Sequence, residues 1–134
     1  MITTLFEDIQ NHLAMLDLAL QSSLKIAQNA KAQDLDAVVN ETDNRERIVN
    51  IIGKFQGEIE DKINQLNAAA LTNEDIGILK SWFSDLNIWS DKMISFDKIT
   101  VEFLGQQKED ATKEIAHLFK NKEIIKGYNH STKK

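Results

Sequence analysis

A seven-residue repeat of aromatic side chains constrains the fold of this chain most strongly, and it consists of Trp82, Trp89, Phe96 and Phe103. A second row interleaves with it at steps of three and four residues: Leu79, Leu86, Met93 and Thr100. This spacing puts both rows, here called the aromatic seam, on one stripe of an α-helix, where long helices pack against each other. The seam therefore predicts either a core face alone or a core face that also docks a partner.

The composition favours helices over strands and loops. The chain has no proline and only five glycines among 134 residues, so little interrupts a helix. Hydrophobic residues make up 42% and charged residues 28%, as in folded proteins. The absence of cysteine excludes a disulfide framework and fits the cytoplasm, where we expect the protein to reside. No apolar run approaches the roughly 18 residues of a membrane span, so we expect no membrane insertion.

The charge is distributed unevenly along the chain. Residues 1–112 carry ten basic and nineteen acidic side chains, whereas residues 113–134 carry six lysines and two glutamates. An acidic body of this kind lacks the basic surface that phosphate contacts need, so we expect no nucleic-acid partner. The basic end is typical of a solvated tail, with contact to an acidic partner as the alternative.

Apolar periodicity predicts three long helices. The first covers about residues 4–31, and the second follows Asp34, a suitable N-cap, and extends to about residue 66. The third opens at Asn73, with Thr72 placed to cap it. β-Branched residues at 99–101 and then Gly105 weaken this helix, so we expect a break and a shorter fourth helix beginning at residue 106 or 108. One long bent helix is the alternative.

These elements predict an all-α fold, an elongated antiparallel bundle of three long helices plus a shorter C-terminal helix. The helices have similar lengths and short connections, which is the pattern of antiparallel neighbours. We expect a single domain over residues 1–128 and a flexible basic tail over residues 129–134.

The sequence gives little support to catalysis, and we expect no catalytic residue, no metal and no cofactor. Glu114 and His117 match one half of a carboxylate-bridged di-metal site, which needs a second Glu-x-x-His. Neither His12 nor His130 has a glutamate three residues before it. Without a cysteine, a nucleophile elbow or a glycine-rich phosphate loop, an enzyme is the least favoured reading.

Two segments carry a family resemblance. Residues 33–52, QDLDAVVNETDNRERIVNII, resemble the second helix of the FlgN/FliT-type flagellar export chaperones: an acidic residue and leucine, a polar stretch with arginine, then an aliphatic continuation. Residues 115–129, IAHLFKNKEIIKGYN, are similar to the final segment of that family, where a tyrosine lies near the C-terminus.

The resemblance implies a small cytoplasmic chaperone that binds an amphipathic helix of a hook-associated or filament-cap protein and delivers it to the export apparatus. By position, it places the client groove at Trp89, Phe96, Phe103, Ile115, Leu118 and Phe119. It makes Tyr128 the contact to the export gate. The alternative is a self-associating coiled-coil scaffold, a homodimer whose seam pairs with itself.

Overall fold

The protein is described by a computed structural model over residues 2–118, with the side chains of residues 107 and 111–118 outside the description. It consists of α1, Ile2–Lys31; α2, Leu35–Asn64; a short 3-10 turn, Ala68–Ala70; and α3, Asn73–Leu118. No strand occurs in this range, which confirms the all-α prediction. Within residues 2–118, none of the helices has the apolar length that a bilayer span requires.

Both predicted N-caps are confirmed by hydrogen bonds. Asp34 accepts a 3.1 Å bond from the amide of Ala37 at the start of α2. At the start of α3 the bonds are reciprocal: the Asp75 amide donates to the Thr72 hydroxyl at 3.1 Å, and the Thr72 amide donates to the Asp75 carboxylate at 3.0 Å. This capping box satisfies two backbone donors that the helix itself leaves free.

The expected break near Gly105 is wrong for the described residues. The helix α3 continues through Gly105 to Leu118, so no separate fourth helix begins at residue 106 or 108. A single glycine costs a helix only about 1 kcal/mol relative to alanine, and the chain offers no proline to interrupt the backbone bonds. With 46 residues, α3 is longer than α1 and α2, which have 30 residues each.

The helix α1 lies at the centre of the bundle. Its backbone comes within 8 Å, measured between Cα atoms, of both α2 and α3, whereas α2 and α3 do not approach each other so closely in the described part. The reason is visible in its buried face, where five positions hold small side chains: Ala19, Ser22, Ser23, Ala27 and Ala30. Small residues let two neighbouring helices approach one helix closely.

The core forms three successive layers along the bundle, each built from all three helices. At one end Leu5 packs with Ile59 and Trp82, and at the other Ile26 and Ala30 pack with Val38 beneath Phe103. In between lies a layer of four buried side chains: Leu16, Ala19, Ile52 and Met93. The order of these contacts makes α2 antiparallel to α1, and α3 parallel to α1.

Polar contacts position α2 on this core. Arg45 forms a two-pronged ion pair with Asp97 of α3, and Lys62 pairs with Asp8 of α1. The buried hydroxyl of Ser22 donates a 2.7 Å bond to a carboxylate oxygen of Glu41. These contacts hold α2 on one side of the α1–α3 pair and leave the opposite side of that pair uncovered by α2.

Candidate functional site

Two aromatic residues in the middle of the seam, Trp89 and Phe96, turn partly out of the core. Trp82 is 1% exposed, whereas Trp89 and Phe96 are half-buried. A seven-residue repeat drifts by about 20° per heptad around a straight α-helix, so successive aromatic positions shift to one side. The interleaved row keeps the core contact instead, as the burial of Met93 demonstrates. The seam therefore contributes Trp82 to the core and Trp89 and Phe96 to the surface, while Phe103 packs on the core layer at the far end.

The surface onto which Trp89 and Phe96 turn is a groove between α1 and α3. Three depressions follow one another along these two helices and share residues where they meet: Leu13 and Asp85 at one junction, and Asp17, Leu20 and Lys92 at the next. Residues of α1 and α3 alone line all three. We call this surface the α1–α3 groove, and it extends over about 27 Å, the rise from Phe6 to Leu24 along α1.

The floor of the groove is apolar and its edges are polar. The apolar lining comes from both helices: Phe6, Ile9, Leu13, Leu16, Leu20, Leu24, Ile78, Trp82, Ile88, Trp89 and Phe96. The polar lining also comes from both: Gln10, Asp17, Gln21, Glu74, Ser81, Asp85, Lys92 and Ser95. An apolar strip with polar margins is the pattern of a surface that receives the apolar face of an amphipathic helix.

Trp89 is fixed in orientation within the groove. Its indole N–H donates a 3.0 Å hydrogen bond to the backbone carbonyl of Leu16 on α1. The bond satisfies the one polar atom of a large aromatic side chain, which leaves part of the ring available to a ligand at small entropic cost. Trp89 thus joins the two walls of the groove and presents a rigid apolar surface.

A buried histidine lies beneath the groove. His12 has no exposed surface, and its Nδ1 accepts a 3.1 Å bond from the indole N–H of Trp82, itself part of the groove lining. The other ring nitrogen lies 3.2 Å from the Ile52 carbonyl of α2. Burial lowers the pKa of His12 below its ordinary value of 6.5, while the bond to Ile52 and the charge of Glu60 oppose this change. The neutral ring therefore donates from Nε2 and links three helices.

The residues predicted for the client groove and for the export-gate contact fall into four groups. Trp89 and Phe96 line the α1–α3 groove, whereas Phe103 packs on the layer of Ile26, Ala30 and Val38 and is not among the lining residues. Ile115 and Leu118 lie on α3, but their side chains are outside the description. Phe119 and Tyr128 lie outside the described residues, as does the predicted tail 129–134.

The α1 wall of the groove was missed by the sequence analysis. The predicted apolar stripe of α1 includes Leu13, Leu20 and Leu24 but not Phe6, and the sequence does not show which edge of this stripe faces α3. The width of the apolar stripe of α1 could have indicated this wall, because the stripe is wider than one neighbouring helix can cover. Ile88 lies well off the centre of the apolar face that carries the seam, yet it lines the groove.

The described residues offer no alternative site with metal-binding chemistry. No group of three or more histidine, cysteine or acidic side chains comes together among them in a way suited to a metal ion. The side chains of Glu114 and His117 lie outside the description.

Comparison of the chain with protein-family models, with curated proteins and with solved structures finds no match. The α1–α3 groove is thus the structural starting point for function, beside the resemblance of residues 33–52 and 115–129.

Proposed function

We propose that this chain is a cytoplasmic flagellar export chaperone without enzymatic activity. In this proposal the α1–α3 groove binds an amphipathic helix of a hook-associated or filament-cap protein. The observation that carries the proposal is the continuity of the groove: about five helical turns of apolar floor between two parallel helices, with no α2 residue over it.

A helix suits this groove for a geometric reason. The three described helices form a bundle in which α2 fills one side of the α1–α3 pair, and a helix on the other side completes a four-helix arrangement. Such a helix buries its apolar stripe against Leu13, Leu20 and Trp89 while its polar face stays in water. A small ligand fits less well, because the groove is long, open and without converging buried polar groups.

The mechanism that follows is masking. A client helix that assembles with its own kind in the filament exposes an apolar stripe, and coverage by the groove prevents premature assembly. Release at the export apparatus then exposes the stripe where assembly begins. The resemblance to the chaperone family assigns the export-gate contact to Tyr128, and further client contacts to Ile115, Leu118 and Phe119.

Two isoleucines of α3 provide a matched test of the groove. Ile88 lines the groove and is 50% exposed, and Ile94 is 51% exposed but lines a separate depression with Val101, away from α1. The test titrates the full chain and its Ile88→Asp and Ile94→Asp variants with the purified C-terminal region of a hook-associated protein from the same organism, by calorimetry. Since both sites are exposed, both variants should keep the helical circular-dichroism spectrum.

The proposal expects binding that Ile88→Asp weakens at least about tenfold, because the carboxylate must be buried without a partner, and that Ile94→Asp leaves unchanged. No binding by any hook-associated or filament-cap protein of that organism contradicts the export role. Equal loss in both variants contradicts the groove. If the chain forms a tight dimer in the absence of client, and if Ile88→Asp dissociates that dimer, the self-associating scaffold is supported instead.

A further inference from the structure

The margins of the α1–α3 groove carry an excess of negative charge. Three carboxylates line it, from Asp17 on α1 and from Glu74 and Asp85 on α3, against a single ammonium group, that of Lys92. Asp17 and Asp85 line the same central depression, one from each wall. An occupant of the groove therefore meets a carboxylate on both of its edges.

None of these carboxylates forms an ion pair with a cation in the described part of the chain. Two ion pairs are found there, Arg45–Asp97 and Lys62–Asp8, and neither involves a residue that lines the three depressions. Asp17 accepts a 2.8 Å bond from the side-chain amide of Gln21, which is neutral. Glu74 lies in the first turn of α3, where the helix dipole favours its charge. Asp17 and Asp85 thus have no ion-pair partner in the described part of the chain and are accessible to a cation of an external partner.

We infer that the occupant is an amphipathic helix of a partner protein with lysine or arginine flanking its apolar stripe on both edges; this inference rests on the proposed function. Basic flanks meet Asp17 on one wall and Asp85 on the other while the apolar stripe covers Trp89 and Leu20. A partner with acidic flanks meets like charges at the same points. Charge complementarity of this kind selects among helices with similar apolar stripes.

The same charges disfavour a second copy of the chain as the occupant. A two-fold symmetric pairing through the groove places the same patch on both sides of the interface, so Asp17 and Asp85 of one copy approach those of the other. The chain also carries a net charge of −5, which adds repulsion between copies. A basic helix has neither disadvantage.

The test uses two synthetic helical peptides of about 18 residues with one shared leucine stripe, flanked by lysine in one and by glutamate in the other. Binding to the full chain is followed by the fluorescence anisotropy of a dye on the peptide. Each margin pair is solvent-exposed and contributes about 0.2–1 kcal/mol, so the lysine peptide should bind the wild type roughly twofold to thirtyfold more tightly over two pairs. The difference should shrink in 0.5 M salt.

Charge reversal supplies the decisive comparison. The double variant D17K/D85K should reverse the preference, whereas D91K/E58K, which makes the same change at exposed positions outside the groove, should keep the order of the two peptides. Equal affinities in the wild type, no binding of either peptide, or the same preference in both double variants overturn the inference. The hook-associated protein titrated against Ile88→Asp tests the proposed function separately, so the two can fail independently.

Two other occupants of the groove, residues 119–134 and a second copy of the chain, would give different experimental results. If deletion of residues 119–134 is required before the lysine peptide binds, that segment of the chain occupies the groove, and the inference is wrong. Sedimentation that detects a dimer of the full chain, dissociated by Ile88→Asp, assigns the groove to a second copy and also overturns it. Binding of the lysine peptide to the monomeric full chain supports the basic partner helix.

Discussion

The indole N–H of Trp82 donates a hydrogen bond to Nδ1 of His12, and this buried contact joins α3 to α1. Because the indole can only donate, Nδ1 must accept and the proton of the neutral ring resides on Nε2. That proton points to the carbonyl of Ile52 on α2. All polar atoms of the pair are thereby satisfied in a fully buried setting.

We predict that acid weakens the fold through His12. Burial lowers its pKa in the folded state below 6.5, so the unfolded chain binds the proton more readily. The contribution of His12 to stability is complete above about pH 6.5 and declines as the pH falls from there toward the folded-state pKa. Protonation of Nδ1 also removes the acceptor for Trp82. Urea unfolding of the wild type and of His12→Gln between pH 5 and 8 measures this.

His12→Gln is expected to have a lower free energy of unfolding than the wild type at pH 8. Between pH 6.5 and 5 its free energy of unfolding should fall less steeply than that of the wild type. The difference between the two profiles isolates His12, since it is the one side chain that differs between the two proteins. Parallel profiles contradict a neutral, doubly bonded His12.

A second prediction concerns the close approach of helices to α1. Ala19 has no exposed surface and lies against Ile52 and Met93, so Ala19→Leu should overpack this layer and lower the free energy of unfolding by about 1–3 kcal/mol. Ala14 is exposed on the same helix, and Ala14→Leu should change the free energy of unfolding by less than about 0.5 kcal/mol. Denaturant unfolding measures both, and equal effects contradict the central position of α1.

A third prediction concerns the turn between α1 and α2. Gln33 has a φ of 62°, the left-handed region, and its amide bonds to the Ala30 carbonyl while the Asp34 amide bonds to that of Asn29. This Schellman pattern normally takes glycine at the left-handed position. Gln33→Gly should therefore raise the free energy of unfolding by about 0.5–1 kcal/mol, measured in urea. A destabilised variant contradicts the left-handed conformation.

A fourth prediction separates packing from binding at the far end of the aromatic seam. Phe103 covers the layer of Ile26 and Val38, so Phe103→Ala should lower the free energy of unfolding by about 2 kcal/mol. Val101→Ala, at a position that is 67% exposed, should have little effect. The folded Phe103→Ala protein should retain its client affinity, because Phe103 does not line the groove. Weaker client binding at unchanged stability assigns Phe103 to the client surface after all.

The helices and their caps follow from local chemistry, which the sequence contains. Thr72 and Asp34 cap because their side chains reach the nearby backbone amides, and no other helix is involved. The continuation of α3 through Gly105 was harder to foresee, because glycine and β-branched residues lower helix propensity without excluding a helix.

The site depends on how the helices are placed relative to one another, and periodicity alone does not determine that. The family resemblance named Trp89 and Phe96 of the seam as candidates, but the α1 wall at Leu20 and Leu24 depends on which edge of α1 faces α3. His12 shares the apolar face of α1 with Ile9 and Leu16, yet its pairing with Trp82 spans 70 residues and leaves no local trace. Long-range pairings of this kind need the packed bundle.

The central claim is that a client helix lies in the α1–α3 groove, and site-specific photo-crosslinking tests it most directly. The measurement replaces Gln21, on the groove margin, or Lys54, exposed on α2, with a photoreactive residue in the presence of the purified C-terminal region of a hook-associated protein. The account predicts crosslinks from position 21 to the apolar helix of that client and none from position 54. Crosslinks from position 54 alone, or equally from both, would contradict it.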